Sequence, residues 1–315
     1  MTEAKYREQV EALGMTNAIA QNSRVPDNLL GALVDSTTLL DRPVKLRERL
    51  AAEGYLLLRQ IVDQTTIGAA RAEVFGRLAD VGEIKPPAID GIATGESRRR
   101  ELVGDLGQFW RSVCCGAAFR KATHGKQMLD LMTLLLGEPA QAHNYLFLRP
   151  GRPGLSTRLH YDLPFFSRGS DRVYTAWLAL GDIPISDGPL MIAENSNRYD
   201  DLIDPIRLID YDSTESPTVQ VMGDTVQFVK DRAGRLLTTS FGPGDLVVFD
   251  MVTLHGTLDN HSPTGRVRLS CDVRWQPAKD PVDPRYCGDE PPGTTGAGYG
   301  ELNGAKPLTD DWHTR

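Results

Sequence analysis

The chain has 315 residues, 40% of them hydrophobic and 24% charged, and a formal net charge of −7. This is the composition of an ordinary globular protein with apolar material for a sizeable core. The acidic balance gives no sign of the basic face that nucleic-acid binding requires, and no apolar run approaches the ~18–20 residues that span a bilayer.

The opening segment, MTEAKYREQVEAL, is charged and amphipathic and lacks the apolar stretch of a secretory leader. A cytoplasmic protein with neither membrane nor nucleic-acid partner is therefore expected. The four cysteines, Cys114, Cys115, Cys271 and Cys287, have no CxxC spacing and read as reduced thiols.

Residues 1–139 read mainly as helix. Within them Gly54–Arg59 (GYLLLR) has strand character. Asp63 then begins a helix whose Ile67, Ala70, Val74, Leu78 and Val81 recur at spacings of three and four. Residues 80–110, with Pro86, Pro87 and the run Arg98-Arg99-Arg100, read as a solvated loop or an active-site lid. A second helix fits Lys126–Leu136, stopped by Gly137 and Pro139.

From 140 to 277 the texture changes to short strands, expected at Tyr145–Leu148, Thr157–Leu163, Val173–Leu180, Leu190–Ala193, Leu236–Thr239, Asp245–Phe249 and Arg266–Trp275. The Pro/Gly turns between them, such as Arg149–Gly154, point to a sandwich or barrel. Residues 278–315, rich in Pro, Gly and Asp, read as an irregular tail wrapped around the same catalytic domain.

Chemistry concentrates in two places. In Thr157–Asp162 (TRLHYD), strand alternation would put His160 and Asp162 on one face. About ninety residues later, a turn and a buried strand deliver His255. Two histidines and one carboxylate form a facial triad that leaves three positions of an octahedral iron(II) open. Zinc hydrolases use similar donors, but usually with a helical HExxH spacing that is absent here. In Arg266–Arg274, Val267, Leu269, Cys271 and Val273 would pack outward, while Arg266, Arg268, Ser270 and Asp272 would face inward. An inward arginine needs an anion. The far carboxylate of a dicarboxylic cosubstrate fits Arg266, with Arg268 in reserve, and a protein acid such as Asp272 or Asp250 is the alternative. Arg158 shares the face of His160 and Asp162, and with Phe165 and Arg168 it is a candidate substrate contact.

These motifs occur in a set order. His160-x-Asp162 is followed by Ala176–Leu180 (AWLAL), Asp187–Leu190 (DGPL), Gly244-Asp245, His255-Gly256 and Arg266, eleven residues past the histidine. The segment resembles the phytanoyl-CoA dioxygenase-like branch of the iron(II)/2-oxoglutarate oxygenases, and with Gly54–Arg59 the resemblance covers roughly residues 45–277. It implies a mainly β fold, a double-stranded β-helix (jelly roll, cupin-like) flanked by helices. It also implies iron(II) on His160, Asp162 and His255, with O2 and 2-oxoglutarate as cosubstrates. Arg266 and Thr257 would hold the far carboxylate, Trp177 would stand beside the cosubstrate, and Asn144 or Tyr145 would assist. The activity implied is hydroxylation of an unactivated C–H in a small-molecule metabolite, releasing succinate and CO2. The alternative is a non-catalytic metal- and 2-oxoglutarate-binding protein on the same scaffold. Two features refine this. Ile192–Arg198 replaces the family's usual small-residue turn with serine and histidine, and Asp162 stands where related halogenases have a small residue. The sequence carries no sign of oligomeric state.

Overall fold

In the computed structural model, residues 3–12, 14–213, 221 and 223–311 are described. Nine helices among them are α1 (Glu3–Ala12), α2 (Pro43–Glu53), α3 (Gln64–Asp80), α4 (Arg99–Leu102), α5 (Leu106–Cys114), α6 (Ala117–His124), α7 (Lys126–Leu136), α8 (Asp200–Ile206) and α9 (Thr225–Asp231). The strands are β1 (Ile19–Ala20), β2 (Ser23–Arg24), β3 (Leu30–Ala32), β4 (Tyr55–Leu58), β5 (Ala140–Ala142), β6 (Phe147–Gly151), β7 (Tyr174–Ala179), β8 (Leu190–Ala193), β9 (Leu236–Thr238), β10 (Leu246–Asp250), β11 (His255–Thr257) and β12 (Arg268–Pro277).

Two sheets face each other. The larger runs β4-β10-β7-β12-β5, with β6 also on β12; the smaller runs β11-β8-β9-β3. This is the double-stranded β-helix, mainly β with flanking helices, that the resemblance implies. Coverage of both faces explains why β4, β7, β8 and β10 are largely apolar. Leu56 and Leu58 of β4, Ala176 and Leu178 of β7, and Leu246 and Val248 of β10 pack into the layer shared with the helices. Their neighbours Tyr55, Leu57, Trp177, Ala179, Val247 and Phe249 fill the space between the sheets.

Strand β12 follows the same alternation with a different composition. Leu269, Cys271, Val273 and Trp275 join the helix layer. Arg268, Ser270, Asp272, Arg274 and Gln276 alternate with them, and all are buried. The inner face of one strand is thus a row of polar and charged side chains.

Local signals set the helix ends. The Asp63 carboxylate accepts from the Thr66 amide and caps α3. Gly137, at φ 72°, closes α7. The four cysteines are free thiols, and no helix among the described residues is long and apolar enough to cross a membrane.

Three expectations need correction. Residues 157–163 form no strand; a single antiparallel bridge, His160 with His255, ties them to the edge of the smaller sheet. Residues 149–151 are strand rather than turn. Pro150 is tolerated because β6 pairs only with β12, so its missing N–H faces no ladder partner. The segment 80–110 is not a solvated loop throughout. Arg99 has no solvent exposure and pairs with buried Glu83 at 2.6 Å. Its guanidinium also donates to the carbonyls of Gly304, Ala305 and Lys306, at 2.6, 3.0 and 2.8 Å. Arg98 and Arg100 pair with Glu101 and Asp310. Arg99 and Arg100 therefore fasten the C-terminal tail.

Candidate metal centre

His160, Asp162 and His255 are all buried, and one donor atom from each lies within 4.8 Å of the others. His160 Nε2 is 3.7 Å from Asp162 Oδ1, and His255 Nε2 is 3.9 Å from Asp162 Oδ2. Both imidazoles are oriented from behind. Nδ1 of His160 lies 2.9 Å from the Arg158 carbonyl, and Nδ1 of His255 lies 2.9 Å from the Thr253 carbonyl. Because a carbonyl can only accept, each Nδ1 carries the proton and each Nε2 keeps its lone pair for a metal.

The convergence does not arise by strand alternation. Asp162 has αR backbone (φ −80°, ψ −22°) and leads into a 3-10 turn over Leu163–Phe166. His160 is placed by the reciprocal backbone bonds of its bridge to His255, at 2.9 and 3.1 Å. Gly256 makes the approach possible. A Cβ there would sit 2.6 Å from the Thr157 carbonyl oxygen and 2.9 Å from Arg158, below any normal contact.

Asp162 is held by its other oxygen. Oδ2 accepts from the Thr175 hydroxyl at 2.7 Å and from Arg274 Nη2 at 2.6 Å, and no hydrogen bond is made to Oδ1 among the described residues. Burial alone would raise this carboxyl, but Arg274, the two imidazoles and the Thr175 hydroxyl together hold it below the usual carboxylate range. Burial, with the neighbouring His255, pushes His160 down to about 4, and burial likewise lowers His255. The resting site is therefore two neutral imidazoles and one carboxylate, the protonation state a divalent metal requires.

Next to the triad lies a cavity of about 120 Å3 that opens to solvent. Phe147, Phe165, Phe166 and Tyr286 form an apolar wall, and Arg149, Arg274, Ser156 and Thr157 stand near the triad. The tail contributes Tyr286, Thr294, Glu301, Leu302 and Asn303. Glu301 accepts from both the amides and the hydroxyls of Thr294 and Thr295, which folds the tail into a wall.

The other sequence candidates fall in different places. Phe165 lines the cavity. Trp177 does not; it is buried between the sheets against Phe241, with ring centroids 4.7 Å apart. The Thr257 hydroxyl accepts from the Thr157 amide at 2.8 Å. Tyr145 is buried behind the cavity, donating to the Gly298 carbonyl and stacked on Tyr299. Asn144 accepts from the Gly288 amide beside a separate depression near Arg120 and His124. Arg158 Nη1 donates to Gln21, and Arg168 pairs with Asp210 and Asp212. Neither arginine lines the cavity. Arg266 is also outside the lining, with Nε 2.5 Å from the buried Asp187 carboxylate.

Sequence reasoning did not single out Arg149, Arg274 or the tail residues. The inward parity of β12 already pointed to Arg274, two positions beyond Asp272. Arg149 was concealed by its Pro/Gly-rich surroundings, and the tail has no periodicity to reveal what it faces.

A buried facial arrangement of two histidines and an aspartate at one end of a double-stranded β-helix defines a mononuclear metal centre of the non-haem iron type. The phytanoyl-CoA dioxygenase family model matches residues 50–268, more than half of the chain, and the chain belongs to that family of iron(II)/2-oxoglutarate-dependent oxygenases. Two solved structures share the fold. The epimerase SnoN in complex with Fe3+, alpha ketoglutarate and nogalamycin RO is 21% identical, with 85% of this chain and 93% of that chain covered and a TM-score of 0.51. EctD from S. alaskensis with 2-oxoglutarate and 5-hydroxyectoine is 15% identical, with 88% of each chain covered and a TM-score of 0.51.

Proposed function

We propose that this protein is a single catalytic unit that oxidises a small-molecule metabolite, by hydroxylation of an unactivated C–H, using iron(II), 2-oxoglutarate and O2 and releasing succinate and CO2. The observation that carries this reading is the triad itself. Two neutral imidazoles with free Nε2 atoms and one carboxylate with a free Oδ1 converge in a buried site beside a cavity. The donor set suits iron(II), which when bound supplies O2 activation coupled to 2-oxoglutarate decarboxylation.

The chain's own contribution is orientation and exclusion of water. His160 and His255 are fixed by backbone carbonyls, and Asp162 by Arg274 and Thr175. Phe147, Phe165, Phe166 and Tyr286 give an apolar body a surface to rest on. Ser156, Thr157, Thr294 and Asn303 offer hydrogen bonds that set its orientation. The epimerase among the fold relatives supports a second outcome on the same site, in which C–H oxidation ends in inversion rather than hydroxyl transfer.

The test is anaerobic reconstitution with iron(II) and 2-oxoglutarate, followed by exposure to O2 with a panel of metabolites and quantification of succinate. Wild-type protein should release succinate, and Asp162→Ala should bind iron weakly and release none. Wild-type protein that binds both ligands without releasing succinate would be a binding protein, and the proposal would fall.

A further inference from the structure

The turn after β8 touches both segments that carry the metal donors. Asn195, at φ 58°, takes the left-handed conformation that asparagine tolerates and turns the chain out of the sheet. The buried Ser196 follows it. Strand β8 pairs with β11 as far as Ile192, opposite His255. One step further, the Ala193 amide donates to the Leu254 carbonyl at 2.9 Å. A regular antiparallel pair would return the Leu254 N–H to Ala193. It donates instead to Ser196 Oγ, also at 2.9 Å. The serine hydroxyl thus takes the place of a ladder acceptor immediately before a metal donor.

That N–H belongs to the peptide unit between Thr253 and Leu254. The same unit supplies the Thr253 carbonyl that lies 2.9 Å from His255 Nδ1. A peptide group is planar, so its N–H and C=O turn together. Holding the N–H on Ser196 therefore fixes the direction of the carbonyl that sets the His255 ring and its tautomer. The Thr253 hydroxyl, on the Gly54 carbonyl at 2.7 Å, anchors the residue but not the plane of the peptide after it. On its other side Ser196 holds the second segment. Its carbonyl accepts from the buried Tyr161 hydroxyl at 3.1 Å, and Tyr161 stands between His160 and Asp162 in the chain. A bridge at His160 ties that segment to β11, and the Tyr161 hydroxyl attaches it again, to the turn after β8.

Resting on the metal-centre reading above, we propose that Ser196 is a positioning residue for all three metal donors. Its hydroxyl orients the His255 imidazole through the peptide between Thr253 and Leu254. Its carbonyl anchors the chain between His160 and Asp162 through Tyr161. Neither Ser196 nor Tyr161 lines the cavity, so the residue acts through the donors and not on a substrate. Thr175 and Arg274 tie Asp162 to β7 and β12 of the larger sheet. Ser196 ties the same centre to the smaller sheet, and the donor geometry is set from both sheets at once.

Cobalt(II) binding to the full chain tests this. Kd, the proton NMR spectrum of the loaded protein and the melting temperature are measured for wild type, Ser196→Ala, Tyr161→Phe and Tyr199→Phe. The Tyr199 hydroxyl donates to the Glu194 carbonyl across the same turn, so Tyr199→Phe loosens the turn and leaves both links in place. In wild type each coordinated imidazole should give one exchangeable, hyperfine-shifted Nδ1–H signal. Ser196→Ala should raise the Co(II) Kd by ~10-fold or more and broaden one of these signals through faster exchange with solvent. Tyr161→Phe should raise the Kd by ~2- to 10-fold. Tyr199→Phe should lower the melting temperature and keep the wild-type Kd and spectrum. Ser196→Ala with the wild-type Kd and spectrum, whatever its melting temperature, would overturn the proposal. Equal losses of affinity in Ser196→Ala and Tyr199→Phe would do the same. Wild type that binds no Co(II) would remove the metal centre itself, and the proposal with it. If Ser196→Ala does not fold, Tyr161→Phe decides, because it keeps the ring and removes one hydroxyl.

Discussion

Arg274 and Asp162 are 112 residues apart in sequence, yet Nη2 of one lies 2.6 Å from Oδ2 of the other in a fully buried pair. The guanidinium is clasped between the Phe147 and Phe166 rings, 4.5 and 4.6 Å from their centroids, so the contact is rigid as well as short. It fixes the orientation of the carboxylate, with Oδ1 toward His160 and Oδ2 toward His255. Arg274→Met should therefore weaken iron(II) affinity by ~10- to 100-fold, the usual effect of losing an outer partner of a metal ligand. The check is metal titration together with electron paramagnetic resonance of the nitrosyl complex. A broadened, heterogeneous signal is expected where a purely structural role would leave the signal of the bound fraction unchanged.

Gly256 predicts a steric failure at the same site. Alanine there would place a methyl 2.6 Å from the Thr157 carbonyl oxygen, and the His160–His255 bridge must open to make room. Gly256→Ala should lose about 1–3 kcal/mol of stability, as overpacking does, and more than tenfold in metal affinity. Urea denaturation and metal titration measure the two effects separately.

The tail depends on Arg99. Truncating it leaves Glu83 as an uncompensated buried carboxylate and releases three tail carbonyls. Arg99→Ala should cost about 3–5 kcal/mol and expose the segment near residues 304–306 to limited proteolysis. Arg100→Ala, which removes an exposed pair with Asp310, should cost no more than about 1 kcal/mol.

Two histidines away from the metal centre predict acid sensitivity. His143 bonds Gln276 and stacks on Tyr286, and burial lowers it to about 4. His124, between Arg120 and the His143 carbonyl, is lowered to about 4 by burial and by Arg120. With folded pKa values below the unfolded one, the unfolded chain binds the extra protons as pH falls. Stability is full above about pH 6.5 and is lost as pH drops toward 4, by roughly 3 kcal/mol for His143. His143→Gln should flatten the fall in melting temperature between pH 7 and pH 5. A profile unchanged by the substitution would refute the assignment.

Legibility in the sequence followed periodicity. The α3 stripe, the α7 stop at Gly137 and strands such as Leu190–Ala193 could be read directly because one physical rule fixes each. The convergence of His160, Asp162 and His255 could be read from motif order, although strand alternation is not what puts His160 and Asp162 together; a bridge and a turn do. The charged interior was half legible. The parity of β12 separated inward from outward residues, but which inner arginine meets which acid depends on Asp187 and Asp272, and no sequence spacing encodes those pairings. Asn144 read as a candidate through the resemblance and Arg158 through strand alternation, and both, like Arg168, instead have partners in other segments.

The tail wall has a consequence for selectivity. The family match ends at residue 268, while Arg274, Tyr286, Thr294, Glu301, Leu302 and Asn303 lie beyond it and face the cavity. The part of the chain that defines kinship is thus distinct from much of the part that would touch a substrate. Exchanging the segment after β12 should therefore alter selectivity while leaving the triad in place.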